Sequence, residues 1–130
     1  MYSATLMDHF ERPRNGGKPE VFNAKGVSGD PSAGPFMVLY LNVQGGRIAG
    51  VGFQTYGCGP AVAAGSLLTE LVKGKSLLEA SAITAPILTT GLGGLPLGKG
   101  HCADIAIDAL NRALSEASQI GKAKEEGSHE

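Results

Sequence analysis

The chain has 130 residues, 42% of them hydrophobic, which is enough to bury one core and fits a single domain. Its formal net charge is -1 and its eleven Lys and Arg are scattered, so it lacks the basic footprint of a DNA or RNA binder. No apolar run approaches the roughly 20 residues that span a bilayer, and the opening MYSATLMDHFERPRN has no signal-peptide core, so a cytoplasmic protein is expected.

The first predicted element is a helix from Tyr2 to Phe10, with Tyr2, Leu6 and Phe10 on one face and Pro13 stopping it. Arg14-Asn15-Gly16-Gly17 reads as a turn, and the stretch from Val21 to Ala33 as short extended pieces broken by Gly and Asp. From Phe36 to Val43 the pattern is a strand, with Met37, Leu39, Leu41 and Val43 on one face and Phe36, Val38 and Tyr40 on the other. Both faces are apolar, which places this strand in the middle of a sheet. Gln44-Gly45-Gly46 signals a hairpin, and Arg47 to Thr55 returns with Ala49, Val51 and Phe53 alternating against Gly50, Gly52 and Gln54.

After Cys58-Gly59 the period becomes helical. Pro60 suits a first turn, Ala61, Ala64, Leu68, Leu71 and Val72 form a buried stripe, and Gly74 ends the helix. Ser76-Leu77-Leu78-Glu79 has capping-box spacing and starts a second short helix that ends before Pro86. The glycine-rich stretch from Gly91 to Gly100 is a loop better suited to shaping a site than to filling a core. The last and longest helix opens at His101-Cys102, carries Ala106, Ala109, Leu110, Ala113, Leu114, Ala117 and Ile120 at helical spacing, and has Asp104 in its first turn to complement the dipole. Beyond Gly121 the sequence KAKEEGSHE reads as a polar, disordered tail. The expected fold class is α+β, a three-stranded antiparallel sheet with helices packed on it, as one domain over residues 1–120 followed by the tail 121–130, with the cysteine loops gathered at one end.

Cys58 and Cys102 stand at the ends of glycine-rich loops, each directly before a helical pattern. Backbone N–H groups and the positive end of a helix dipole favour thiolate there, the form that binds metals and attacks sulfur. In a reducing compartment two such cysteines read as metal-binding or catalytic ahead of a structural disulfide. With His101 they make three soft or borderline ligands of the kind that zinc and iron-sulfur clusters take, although the spacing is not that of a zinc finger. The alternative is that Cys102 is only the first buried residue of its helix and His101 an ordinary neighbour of the cap. Asp30 and Ser32 fit a turn better than a ligand role, Lys99 fits a solvated surface, His9 a structural position, and His129 lies in the tail. Gly91-Leu92-Gly93-Gly94 follows no strand and opens no helix, so it is not a nucleotide fingerprint.

Several stretches together resemble the IscU family of iron-sulfur cluster scaffolds, also found as the N-terminal domain of NifU. Asp8-His9-Phe10-Glu11-Arg12-Pro13-Arg14-Asn15 is similar to the family's D-H-[YF]-x-x-P-R-N, Phe53-Gln54-Thr55-Tyr56-Gly57-Cys58-Gly59 to its F-x-T-Y-G-C-G, and Lys99-Gly100-His101-Cys102 to its K-x-H-C. Leu68 to Leu77 follows its central helix, and the likeness runs from about Tyr2 to Ile120. The interval from Cys58 to His101 is similar to the uninserted IscU form rather than to the zinc-binding SufU branch. The resemblance implies a SufE/NifU-like fold and a non-enzymatic scaffold on which persulfide sulfur from a cysteine desulfurase and iron are assembled into a [2Fe-2S] cluster for acceptor proteins. It also implies roles by position: Cys102 as persulfide acceptor, and Cys58, His101 and Cys102 as ligands of the metal or cluster.

The resemblance breaks before the first long strand. Family members carry A-C-G-D, whereas this chain reads Ser32-Ala33-Gly34-Pro35, with Ala33 in place of the cysteine and Pro35 in place of the aspartate. A three-ligand site leaves one coordination position for water, a small thiol or a second protomer. The family's L-P-P-V-K, read by an Hsp70-type chaperone, is here Leu95-Pro96-Leu97-Gly98-Lys99, so chaperone recognition does not carry over. Two other readings stay open: a cluster-incompetent binding module that regulates a desulfurase, and a Cys2His zinc-binding protein, ranked last because no general base is apparent.

Overall fold

The computed structural model describes residues 2–30, 32 and 34–128, so Ala33 and His129 lie outside the described residues. Its elements are α1 (Ala4–Glu11), β1 (Ala24–Gly29), β2 (Phe36–Gln44), β3 (Arg47–Tyr56), α2 (Gly59–Val72), α3 (Leu77–Ser81), α4 (Ala85–Gly91) and α5 (His101–Ser128). The strands form one antiparallel sheet in the order β1-β2-β3, so the expected three-stranded α+β architecture is present with β2 at its centre.

The apolar pattern of β2 explains that position. Met37, Leu39 and Leu41 are fully buried, as are Leu68 and Val72 of α2 and Ala106 and Leu110 of α5, and all belong to one core. On the opposite face Tyr40 packs edge-on against Phe22, with centroids 4.8 Å apart, and its hydroxyl donates to Gln54 Oε1 at 2.6 Å. The turn from β2 to β3 falls on Gly45 and Gly46, with φ of 60° and 78°, the left-handed pair that a two-residue hairpin requires. Helix α5 lies directly on β1: a Cβ at Gly26 would fall 2.1 Å from the Ala109 carbonyl oxygen and 2.4 Å from the Ala113 nitrogen. The alanine stripe of α5 and the missing side chain at Gly26 together allow this approach.

Helix α1 keeps Leu6 of the face its spacing suggested but is rotated so that His9, and not Tyr2 and Phe10, completes the buried side. Leu6 and His9 are its buried residues, whereas Tyr2 and Phe10 are partly exposed. The reason is polar. His9 Nδ1 pairs with Ser66 Oγ at 2.7 Å and its Nε2 lies 3.4 Å from Glu70 Oε1, both on α2. Asp8 takes Arg14 on one oxygen and Arg12 on the other, each at 2.6 Å, and the Arg14 backbone N–H donates to Ser66 Oγ at 2.9 Å. The Asp8-to-Asn15 segment therefore clasps α1 onto α2. Within this clasp Arg14, then Arg12, holds the Asp8 carboxyl below its ordinary range.

The Ser76–Glu79 capping box forms as expected, with bonds of 2.9 and 3.1 Å. Helix α3 ends at Ser81, before Pro86 as expected, and Pro86 sits in the first turn of a further helix, α4, whose N-cap is Thr84. Helix α5 runs past Gly121 to Ser128, where Lys122, Ala123, Lys124 and the two glutamates after them are strong helix formers. No helix among the described residues is long and apolar enough to cross a membrane.

Candidate metal and sulfur site

Two helix starts meet at one end of the sheet. Strand β3 delivers Cys58 to the N-cap of α2 in extended conformation, and its carbonyl accepts the N–H groups of Ala61 at 3.0 Å and Val62 at 3.3 Å. The segment before α5 closes a turn in which Cys102 N–H donates to the Lys99 carbonyl at 3.1 Å. Cys102 is thereby the second residue of α5. The two sulfurs come to rest 3.7 Å apart, and His101 Nε2 lies 3.8 Å from Cys102 Sγ. Both cysteines are free; Cys58 is half-buried and Cys102 is 1% exposed.

A cavity of about 160 Å³ opens beside the pair, lined among others by Pro35, Phe36, Tyr56, Lys99, His101 and Ile105. The residues expected from sequence thus converge, with Lys99 among them. Phe36 and Tyr56 were not anticipated. They close the β2–β3 ladder opposite each other with rings stacked at 6.4 Å, and Tyr56 is largely exposed on the rim. Counting outward from the hairpin pairs Phe36 with Thr55; the register shift between Asn42 and Val43 brings Tyr56 there instead.

The thiols are electrostatically unequal. Burial works against the Cys58 thiolate, but the Ala61 backbone N–H, the Cys102 thiol and the Lys99 ammonium outweigh it, so this thiol lies below its ordinary value. At Cys102 burial, followed by the hydrogen bond to Cys58 and repulsion from it, pushes the thiol up to about 12 against the pull of Lys99. Of the pair, Cys58 gives up its proton first, and its thiolate then accepts from the Cys102 S–H. The helix end had been expected to acidify Cys102. Burial beside another thiolate overrides it, and Cys58 is the acidic member.

The donor set suits a thiophilic metal. At a metal–sulfur bond of roughly 2.3 Å, the edge of a tetrahedron between two thiolates is about 3.8 Å, and the observed 3.7 Å matches it. Among the described residues, however, no three of His, Cys, Asp and Glu already stand as a metal-holding group. His101 is exposed and must turn inward to join the two sulfurs. Pro35 lines the cavity with no donor side chain, and Asp30 is engaged by the N–H and hydroxyl of Ser32 at 2.9 and 2.7 Å, as expected for a turn.

The family model described as the NifU-like N terminal domain matches residues 1–124. The iron-sulfur cluster assembly scaffold protein IscU 1 of Archaeoglobus fulgidus is 44% identical over 98% of this chain and 86% of its own. IscU of Haemophilus influenzae is 43% identical over 88% of this chain and 94% of its own. A solved structure described as a scaffold protein for the SUF system of Fervidobacterium islandicum aligns with a TM-score of 0.68 at 24% identity, covering 87% of this chain and 96% of that one. At that identity the likeness concerns the fold.

Proposed function

The chain belongs to the NifU-like N-terminal domain family and is an iron-sulfur cluster assembly scaffold; from that premise we propose that Cys58, His101 and Cys102 receive iron and sulfur as cargo. The observation that carries this assignment is the sulfur pair at 3.7 Å with the His101 ring beside it. Cys102 occupies the position of the persulfide acceptor, and a cysteine desulfurase is the donor. Because Cys102 is 1% exposed, the segment before α5 has to shift before a sulfur donor can reach it. Cys58, whose thiol lies below its ordinary value, gives up its proton to an incoming metal more readily than Cys102 does.

With Ala33 and Pro35 in place of a cysteine and an aspartate, the protein supplies three ligands and the cargo keeps one open position. A [2Fe-2S] cluster held this way is labile, which suits transfer to acceptor proteins. The same ligands accept zinc. Anaerobic reconstitution with ferrous iron and sulfide, followed by visible absorption, tests the assignment: the wild type gains sulfur-to-iron charge-transfer bands that Cys58→Ala does not. Equal bands in both would move the site elsewhere.

A further inference from the structure

We propose that this chain converts a persulfide on Cys102 to free sulfide by itself, with Cys58 as the resolving thiol. The inference rests on Cys102 carrying the delivered sulfur. Once it does, the inner sulfur of the persulfide is Cys102 Sγ, the atom that Cys58 Sγ faces at 3.7 Å. A covalent S–S bond needs about 2.0 Å, so an approach of less than two ångströms separates resting contact from reaction. The outer sulfur has no fixed place relative to Cys58, whereas the inner one does.

The step balances without an outside oxidant or reductant. The Cys58 thiolate attacks Cys102 Sγ, the bond between Cys102 Sγ and the outer sulfur breaks, and the outer sulfur leaves with that bonding pair as hydrosulfide. Each cysteine sulfur is oxidised by one electron, and the sulfane sulfur is reduced by two. The products are a Cys58–Cys102 disulfide and one sulfide. Contact favours the intramolecular course, because Cys58 Sγ already stands against Cys102 Sγ and no second molecule has to be brought to it. A reaction of dithiol–disulfide exchange class must follow, since the disulfide removes two ligands and the chain cannot bind metal again until it is reduced.

The test uses the full chain with metal chelated and no reductant, loaded in one arm by a cysteine desulfurase with cysteine and in another by cysteine persulfide. In the cysteine persulfide arm the wild type should release one sulfide per persulfide taken up, lose the mass of two hydrogens, and yield a peptide crosslinked between Cys58 and Cys102. Cys58→Ser should instead keep the mass of one added sulfur and release no sulfide at the wild-type rate. Wild type that retains the added sulfur in this arm, releases sulfide without the crosslinked peptide, or takes up no sulfur overturns the inference. Failure of the desulfurase arm alone removes sulfur delivery from the proposed function and leaves the chemistry of the pair standing.

Discussion

His9 Nδ1 lies 2.7 Å from Ser66 Oγ, and that oxygen also accepts the Arg14 backbone N–H at 2.9 Å. The Glu70 carboxylate, 3.4 Å from Nε2, can only accept, so the neutral ring carries its proton on Nε2 and Nδ1 accepts the Ser66 hydroxyl. Burial, then the Arg14 charge, lowers the His9 pKa below its ordinary 6.5, against the opposing pull of Glu70 and Asp8. Between that lowered value and 6.5 the unfolded chain binds more protons than the native one, so stability rises with pH across this window and is lost as pH falls through it. Thermal unfolding followed from neutral pH downward should show this loss, and His9→Gln should flatten the slope. An unchanged slope in the variant would place the pH dependence elsewhere.

Ser66→Ala strips two groups of their partner at once, the buried His9 Nδ1 and the half-buried Arg14 N–H. Leaving such groups unsatisfied costs about 2 kcal/mol. Urea denaturation should show a lowered midpoint with an unchanged slope; a loss below about 0.5 kcal/mol would mean that the clasp contributes no more than an ordinary surface contact.

Gly26→Ala should be severe, because its Cβ would meet backbone atoms of α5 at 2.1 and 2.4 Å, which cannot give way as a flexible side chain would. We expect a loss of about 3 kcal/mol or more. Gly50→Ala meets nothing closer than 3.5 Å and serves as the control, with native-like stability expected. Equal melting temperatures for the two variants would contradict the packing of α5 on β1.

Much of this was legible in the chain. Gly45-Gly46 fixed the hairpin, the two apolar faces of Phe36 to Val43 fixed the central strand, and Ser76 with Glu79 announced α3. What escaped depended on tertiary context. Leu6 and Phe10 look equivalent on a helical wheel, and only the polar clasp through His9 decides which face turns inward. Pro86 can stop one helix or start the next, and Thr84 as its cap decides it. The acidity of the cysteines was reversed because a dipole argument takes no account of a second sulfur 3.7 Å away. The Phe36–Tyr56 rim was hidden by the register shift.

Metal binding should require Cys58, His101 and Cys102 together, since a three-ligand site has no spare donor. Titration with zinc under anaerobic conditions should give stoichiometric binding for the wild type and none for Cys58→Ala, His101→Ala or Cys102→Ala. Binding should weaken as pH falls, because protons compete for the thiolates and the imidazole. Tight binding by any one variant would show that its residue is not a ligand.

Restoring the fourth donor should lengthen cluster lifetime. The double variant Ala33→Cys with Pro35→Asp adds donors in the segment before β2, where Pro35 lines the cavity, and should slow the decay of cluster absorbance after removal of free iron. Decay at the wild-type rate would mean that the open position is already filled by another group.

In the proposed function, iron and sulfur are assembled on this chain through the Cys58–His101–Cys102 constellation and handed on. The most direct measurement combines the chain with ferrous iron, cysteine and a cysteine desulfurase under anaerobic conditions, records the visible spectrum of the re-isolated protein, and then adds an apo-ferredoxin. Chain-bound [2Fe-2S] absorption should appear and be lost as the ferredoxin gains its cluster, with neither event for Cys102→Ala. A colourless chain, in a mixture that loads a related scaffold, would contradict it.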